Sequence, residues 1–116
     1  MNEDVLNTVL LHIDAYNRRD IEQLLHGIAR DAVFKAGGSI AVGRDNIHTL
    51  FASAFAAPWH STLHITNAVV QNGTASCEMV ETVQSERQRR HSELVGIYTV
   101  RGQEIVRVRL YRDPEA

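Results

Sequence analysis

The chain has 116 residues, 44% hydrophobic and 22% charged, with a formal net charge of -2 and one cysteine. That length carries one hydrophobic core and is too short for two, so residues 1–116 read as a single domain. The composition excludes a disulfide framework, a cysteine-based zinc site and a basic nucleic-acid face: Arg87, Arg89 and Arg90 adjoin Glu86 in a polar stretch, and no apolar run reaches bilayer length.

In chain order, the acidic start MNEDVLNTVL lacks the basic residues and apolar run of a secretory signal, so a cytoplasmic location is expected. Val5, Leu6, Val9, Leu10, Ile13 and Tyr16 form the i, i+3, i+4 stripe of an amphipathic helix, ending near Asn17–Arg19. Asp20, with Gln23 three residues on, opens a second helix carrying Ile21, Leu24, Leu25 and Ile28. A short extended piece is predicted at Ala32–Lys35, and Gly37, Gly38 and Gly43 punctuate a loop. A third helix runs from about Arg44 to Ala57, with Ile47, Leu50, Phe51 and Phe55 inward and Pro58 ending it. After Pro58 the period becomes alternating, and four strands are predicted at about 61–71, 74–85, 92–101 and 104–112. Helices first and strands afterwards is the layout of a segregated α+β domain.

The hairpin turns set the faces. A type II′ turn at Gly102-Gln103 pairs Arg101 with Glu104 and puts Val95, Ile97, Val106, Val108 and Leu110 toward the helices. Leu94, Tyr98, Val100, Ile105, Arg107, Arg109 and Tyr111 fall on the other face, which reads as a dimer surface. At Asn72-Gly73 a two-residue turn sets His64 across from Glu81, whereas a three-residue loop with Gly73 as a bulge pairs Val70 with Thr74. The bulge segregates apolar from polar side chains better and is the preferred register, because buried apolar area is worth about 25 cal/mol per Å². It turns His64 outward and leaves Asn67 and Glu81 as polar intruders among Leu63, Ile65, Cys77, Met79 and Val83.

Several segments resemble the NTF2-like superfamily in its SnoaL-like branch, which also holds limonene epoxide hydrolase and ketosteroid isomerase. They are Tyr16-Asn17-Arg18-Arg19-Asp20, Arg30-Asp31-Ala32-Val33-Phe34, Gly43-Arg44-Asp45, His64-Ile65-Thr66-Asn67, Gly96-Ile97-Tyr98, and the run from Ile105 through Leu110-Tyr111-Arg112 to Asp113-Pro114. The resemblance implies a cone-shaped, cystatin-like fold: a curved antiparallel sheet packed against three N-terminal helices around a deep pocket, with dimerisation through the outer sheet face. The relatives' catalytic residues do not carry over. Positions matching the epoxide hydrolases' Arg and two acids hold Met79, Glu81 and Leu110, and Leu110 also stands where the cyclases have an acid. The isomerase base falls at Ala36 and its oxyanion-holding Tyr near His12.

A carboxylate on a greasy face suits proton transfer or else an ion pair with an arginine, and both readings of Glu81 stand. His12, one step off the stripe of the first helix, is either a structural histidine or the partner of Glu81 in an acid–base dyad. Tyr16, Trp59, Asn67, Met79, Ile97 and Leu110 are the candidate ligand-binding residues, each with a plain packing or strand-tying role as its alternative. His60 and His64 resemble a histidine of scytalone dehydratase-like relatives. The histidines show no H-x-x-x-H pair, so no metal is expected, and Gly37-Gly38 lacks the flanks of a nucleotide loop, so no cofactor is. The expected function is a pocket for a small apolar molecule with acid/base lyase, isomerase or hydrolase chemistry at Glu81. Its rival is a non-catalytic ligand-binding or dimerisation module, and a purely structural domain would have a filled interior. Neither nucleic acid nor membrane is expected as a partner.

Overall fold

The computed structural model describes residues 2–112, so Asp113 and Pro114 lie outside the described residues. Helix α1 spans Asn2–Arg18, α2 Ile21–His26 and α3 Arg44–Ala56. Strands β1 (Ile28–Ala36), β2 (Ser39–Val42), β3 (His60–Gln71), β4 (Thr74–Gln84), β5 (Arg89–Arg101) and β6 (Glu104–Arg112) form one sheet in the order β2-β1-β6-β5-β4-β3. The extended piece expected at Ala32–Lys35 is therefore part of a longer strand, β1, and β2 is a strand beyond those predicted. Ile28 opens β1 instead of lengthening α2, and Ser39–Val42 pairs back on β1 in the segment read as a loop.

Local chemistry explains the helix ends. Arg19 sits in the left-handed region at φ 57°, its N–H bonding the Tyr16 carbonyl while the Asp20 N–H reaches Ala15. This pair of bonds is a Schellman stop, in which glycine is usual. Arginine stands here with its guanidinium on the Trp59 carbonyl. Asp20 then caps α2, its Oδ1 accepting from the Gln23 N–H at 3.1 Å. Arg44 opens α3 and sends two N–H groups to the Ile28 carbonyl, at 3.0 and 2.7 Å, tying that helix to the start of β1.

Helix α1 buries Val5, Val9, His12, Ile13 and Ala15. Opposite them, the inner sheet face contributes Phe34, Ala75, Cys77, Met79, Leu94, Tyr98, Ile105 and Val108. Each large apolar side chain taken fully out of water is worth roughly 1.5–3 kcal/mol, and this shared layer holds helices and sheet together.

The registers correct the expected faces in two places. Asn72 and Gly73 have φ 52° and 76° and form a two-residue turn that pairs Gln71 with Thr74, not the bulged loop. The bulge lies at Thr66 instead, since Ile65 pairs with Met79 and Asn67 with Glu78. Ser61, Leu63, Ile65, Ala68 and Val70 therefore point inward, while Asn67 and Val69 point out. The second hairpin has φ 58° and 66° at Gly102 and Gln103, a type I′ rather than a II′ turn, and Val106 is a bulge residue between the Val100–Ile105 and Thr99–Arg107 pairs. One extra residue reverses the faces of a strand pair relative to each other. Leu94, Gly96 and Tyr98 consequently face the helices together with Val108 and Leu110, and Val95 and Ile97 lie on the outer face.

Candidate functional site: a cavity with one ion-paired carboxylate

A cavity of about 220 Å³ opens between α1, α3 and the inner face of the sheet. Leu50 and Phe51 of α3, with Leu63, Leu94 and Leu110 from the strands, supply apolar wall, and Glu81 and Arg112 the charge. A wider groove of about 600 Å³ runs between α1, α2 and the β5–β6 turn. Its lining mixes Leu11 and Leu24 with Asn7, Thr8, Gln23, His26 and Glu104, and it lies away from Glu81. The apolar wall and the ion-paired carboxylate favour the smaller space.

Glu81 reaches the cavity because β4 alternates strictly inward through Ala75, Cys77, Met79 and Glu81. It is only 8% exposed, and both of its oxygens are engaged. Arg112, at the last turn of the same alternation on β6, grips it with two N–H groups: Nη1 on Oε1, and Nη2 on Oε2 at 3.1 Å. Such a fork is the strongest geometry available to a carboxylate. Ser61, at the start of β3, donates to Oε2 at 2.9 Å and in turn accepts the phenolic hydrogen of Tyr16 at 2.9 Å. A chain Tyr16–Ser61–Glu81–Arg112 thus crosses from the end of α1 to the end of β6. Burial foremost, and the nearby Glu81 charge after the opposing Ser61 hydrogen bond, raise the Tyr16 phenol, which stays protonated at neutral pH. The hydrogen bond to Glu81 raises Arg112 further and keeps it cationic. Asn17 anchors this end of the helix by exchanging two hydrogen bonds with the Leu63 backbone, at 2.9 and 2.8 Å.

His12 lines the same cavity but forms no hydrogen bond with Glu81, whose partners are Ser61 and Arg112. The expected dyad is absent. The ring is buried edge-on to Phe51 and Tyr98, its Nδ1 has no partner, and burial lowers its pKa to about 4. Of the other sequence candidates, Tyr16 and Leu110 line the cavity. Met79 is buried on the inner face, with the Tyr98 hydroxyl 3.9 Å from its sulfur, and is not part of the lining. Asn67 lies on the outer face, bonded to Glu78, because the Thr66 bulge turns it over. Ile97 is also outside, for the corresponding reason at Val106. Trp59 is 48% exposed beyond α3 and takes no part in the lining. His64 is exposed, as the preferred register had it, although the bulge responsible is at Thr66. No group of three His, Cys, Asp or Glu residues among the described residues is placed to hold a metal.

Ser61 and Arg112 were missed from the sequence. Both lie one step beyond recognised inward residues: Ser61 precedes Leu63 and Ile65 by the period of 2, and Arg112 follows Val108 and Leu110 by the same period.

The SnoaL-like domain family model matches residues 9–108. The chain belongs to that family. Solved structures similar to this SnoaL-like domain include an LEH-like epoxide hydrolase of M. tuberculosis, 17% identical over 97% of this chain and 84% of that one, with a TM-score of 0.86. A protein of ketosteroid isomerase-like fold from Catenulispora acidiphila, in complex with trimethylamine, is 19% identical over 92% and 85%, at 0.84. A putative polyketide cyclase from Xanthomonas campestris pv. campestris is 19% identical over 98% and 93%, at 0.83. At these identities the likeness establishes the NTF2-like α+β fold of this SnoaL-like domain and not a shared reaction. No curated protein matches its sequence. None of its helices among the described residues is long and apolar enough to cross a membrane.

Proposed function

We propose that this SnoaL-like domain binds a small, largely apolar molecule between helices and sheet and moves a proton on it with Glu81, in a lyase, isomerase or hydrolase reaction. The observation that carries the reading is a lone, mostly buried carboxylate in a hollow walled by Leu50, Phe51, Leu63, Leu94 and Leu110. An apolar space with a few convergent polar groups is the usual form of a small-molecule site. Tyr16 orients the ligand in this reading, and Arg112 holds the charge balance as the proton moves. His12 is a wall residue, neutral near pH 7. No cofactor is required for such proton chemistry. Epoxide hydrolase and polyketide cyclase are activities in the names of structures with this fold, and they favour a small organic substrate.

Ligand-observed NMR with one-ring apolar compounds tests the binding. Saturable binding is expected, and Ala54→Phe, which fills the lining at an exposed position of α3, should abolish it without unfolding the protein. The rival module without catalysis is favoured by the engagement of both Glu81 oxygens and by Ala36 and Leu110, cavity residues where relatives carry acids. Exchange of carbon-bound ligand hydrogens in deuterated solvent separates the two readings. Exchange lost in Glu81→Gln supports catalysis, and bound ligand that exchanges in neither protein supports the module.

The same reading includes a homodimer through the outer face and a cytoplasmic place of work, where the buried free thiol of Cys77 stays reduced. Leu94, Tyr98 and Ile105 are not on that surface, because they are buried inside. Val95 and Ile97 stand there instead, with Tyr111 at 51% exposure. A monomer by analytical ultracentrifugation at micromolar concentration would end this part of the proposal.

A further inference from the structure

We propose that the cavity selects a one-ring molecule bearing a hydroxyl or enol, and that Tyr16 and Ser61 pass the proton of that group to Glu81. This rests on the proposed reading of the cavity as a ligand site and adds its substrate class and the direction of its proton path.

The direction follows from counting hydrogens. Ser61 has one hydroxyl hydrogen, and a carboxylate accepts only. With Ser61 Oγ 2.9 Å from Glu81 Oε2, that hydrogen belongs to the carboxylate. Ser61 can then only accept from Tyr16, 2.9 Å away on its other side. Both hydroxyls spend their hydrogens toward Glu81, and the Tyr16 oxygen is left with lone pairs. Tyr16 lines the cavity and Ser61 does not, so a ligand that reaches the Tyr16 hydroxyl meets an acceptor. A ligand O–H completes the chain, whereas a ketone of the same shape gains nothing from Tyr16 and has only the spare N–H groups of Arg112 to accept from.

The transfer balances. The ligand O–H bond breaks as its proton passes to Tyr16 Oη, the Tyr16 proton passes to Ser61 Oγ, and the Ser61 proton passes to Glu81 Oε2. Tyr16 and Ser61 each lose one proton and gain one, the ligand becomes an oxyanion, and Glu81 becomes a neutral acid. Arg112 is the counter-charge for both end states. Only two of its five N–H hydrogens are needed by Glu81, and Arg112 lines the cavity into which the oxyanion forms.

Volume sets the size. A dry cavity of roughly 150 Å³ accepts benzene, and drug-sized ligands need roughly 300–1,000 Å³. At about 220 Å³ this one lies nearer the benzene-sized case, with room for a single ring and short substituents.

Cyclohexanol and cyclohexanone differ in little but the donor hydrogen, and their binding to the full chain tests the polarity. The wild type should prefer the alcohol by about tenfold, the worth of one net hydrogen bond. Ser61→Ala should erase or reverse this preference, because the freed Tyr16 hydrogen can then be donated to a ketone, an effect that simple packing at Ser61 would not produce. Equal affinities in the wild type, or an unchanged preference in Ser61→Ala, would overturn the proposal. With 4-nitrophenol below its own pKa, the visible phenolate band should appear on binding to the wild type and not to Glu81→Gln; its absence from the wild type refutes the proton path. A four-ring sterol binding as tightly as cyclohexanol refutes the size argument. If neither cyclohexanol, cyclohexanone nor 1,4-dimethylbenzene binds, the cavity is no ligand site and the underlying reading falls with the proposal.

Discussion

Acidification from pH 7 to pH 4 should cost this fold about 3 kcal/mol through His12 alone. Burial against the rings of Phe51 and Tyr98, with centroids 6.1 and 5.8 Å away, lowers the imidazole from 6.5 to about 4. In the unfolded chain the ring takes up a proton as the pH drops through 6.5, but the folded protein refuses it until about 4. Between those values the unfolded state binds more protons, so stability falls as the pH falls. The loss is absent above that window and complete below it. The interval from 6.5 to about 4, at roughly 1.4 kcal/mol per tenfold in proton affinity, gives the figure stated. It is a large share of a typical total of 5–15 kcal/mol. Urea unfolding of the wild type and His12→Leu at pH 7, 6, 5 and 4 isolates the effect, since other acid-sensitive groups cancel in the difference. The stability of the wild type relative to the variant should drop by about 3 kcal/mol across the series. A difference that stays constant with pH would refute the reasoning.

Arg112→Ala leaves Glu81 enclosed without its counter-charge. Because the arginine side chain is 49% exposed, the expected loss is about 1–2 kcal/mol, less than for a fully buried pair, and Glu81→Gln in the same chain should recover part of it in denaturant titrations. Asn17→Ala removes two hydrogen bonds to Leu63 and should cost about 1–3 kcal/mol, read as a lower urea midpoint at unchanged slope. At Gly96 an added Cβ would stand 2.7 Å from both Met79 Cε and Tyr98 Cε1, so Gly96→Ala should lose about 1–3 kcal/mol by overpacking, and a neutral thermal shift would contradict the packing described.

The helices were legible because they announce themselves locally. The stripe from Val5 to Tyr16 buries its Val5, Val9 and Ile13 as a 3.6 period requires, and Asp20 caps α2 as its spacing with Gln23 indicated. Strand existence was legible in the alternation, but strand facing was not. A bulge is one residue of extra length in a pair, and its signal is a slip in phase from i+2 to i+3. Ile65 to Ala68 and Ile105 to Val108 are such slips, yet Val106 is itself apolar and masks the second. Glu81 was correctly placed inward because β4 is free of any slip, whereas Asn67 and Ile97 were placed by extrapolating through one. The β1–β2 pair was lost to its glycines: Gly37 at φ 59° makes a tight reversal that reads as a loop until the partner strand is seen.

The strand order β2-β1-β6-β5-β4-β3 also bears on how the molecule assembles. β6, the last of the six described strands in chain order, lies between β1 and β5 and pairs in parallel with the former and antiparallel with the latter. Without it, the β1–β2 hairpin and the β3–β4–β5 meander are two ribbons with no edge in common. The final residues to join this seam bring Arg112 to Glu81. One strand therefore both closes the sheet and supplies the counter-charge of the candidate site, so that without β6 the β1 and β5 edges lie open and Glu81 has no arginine.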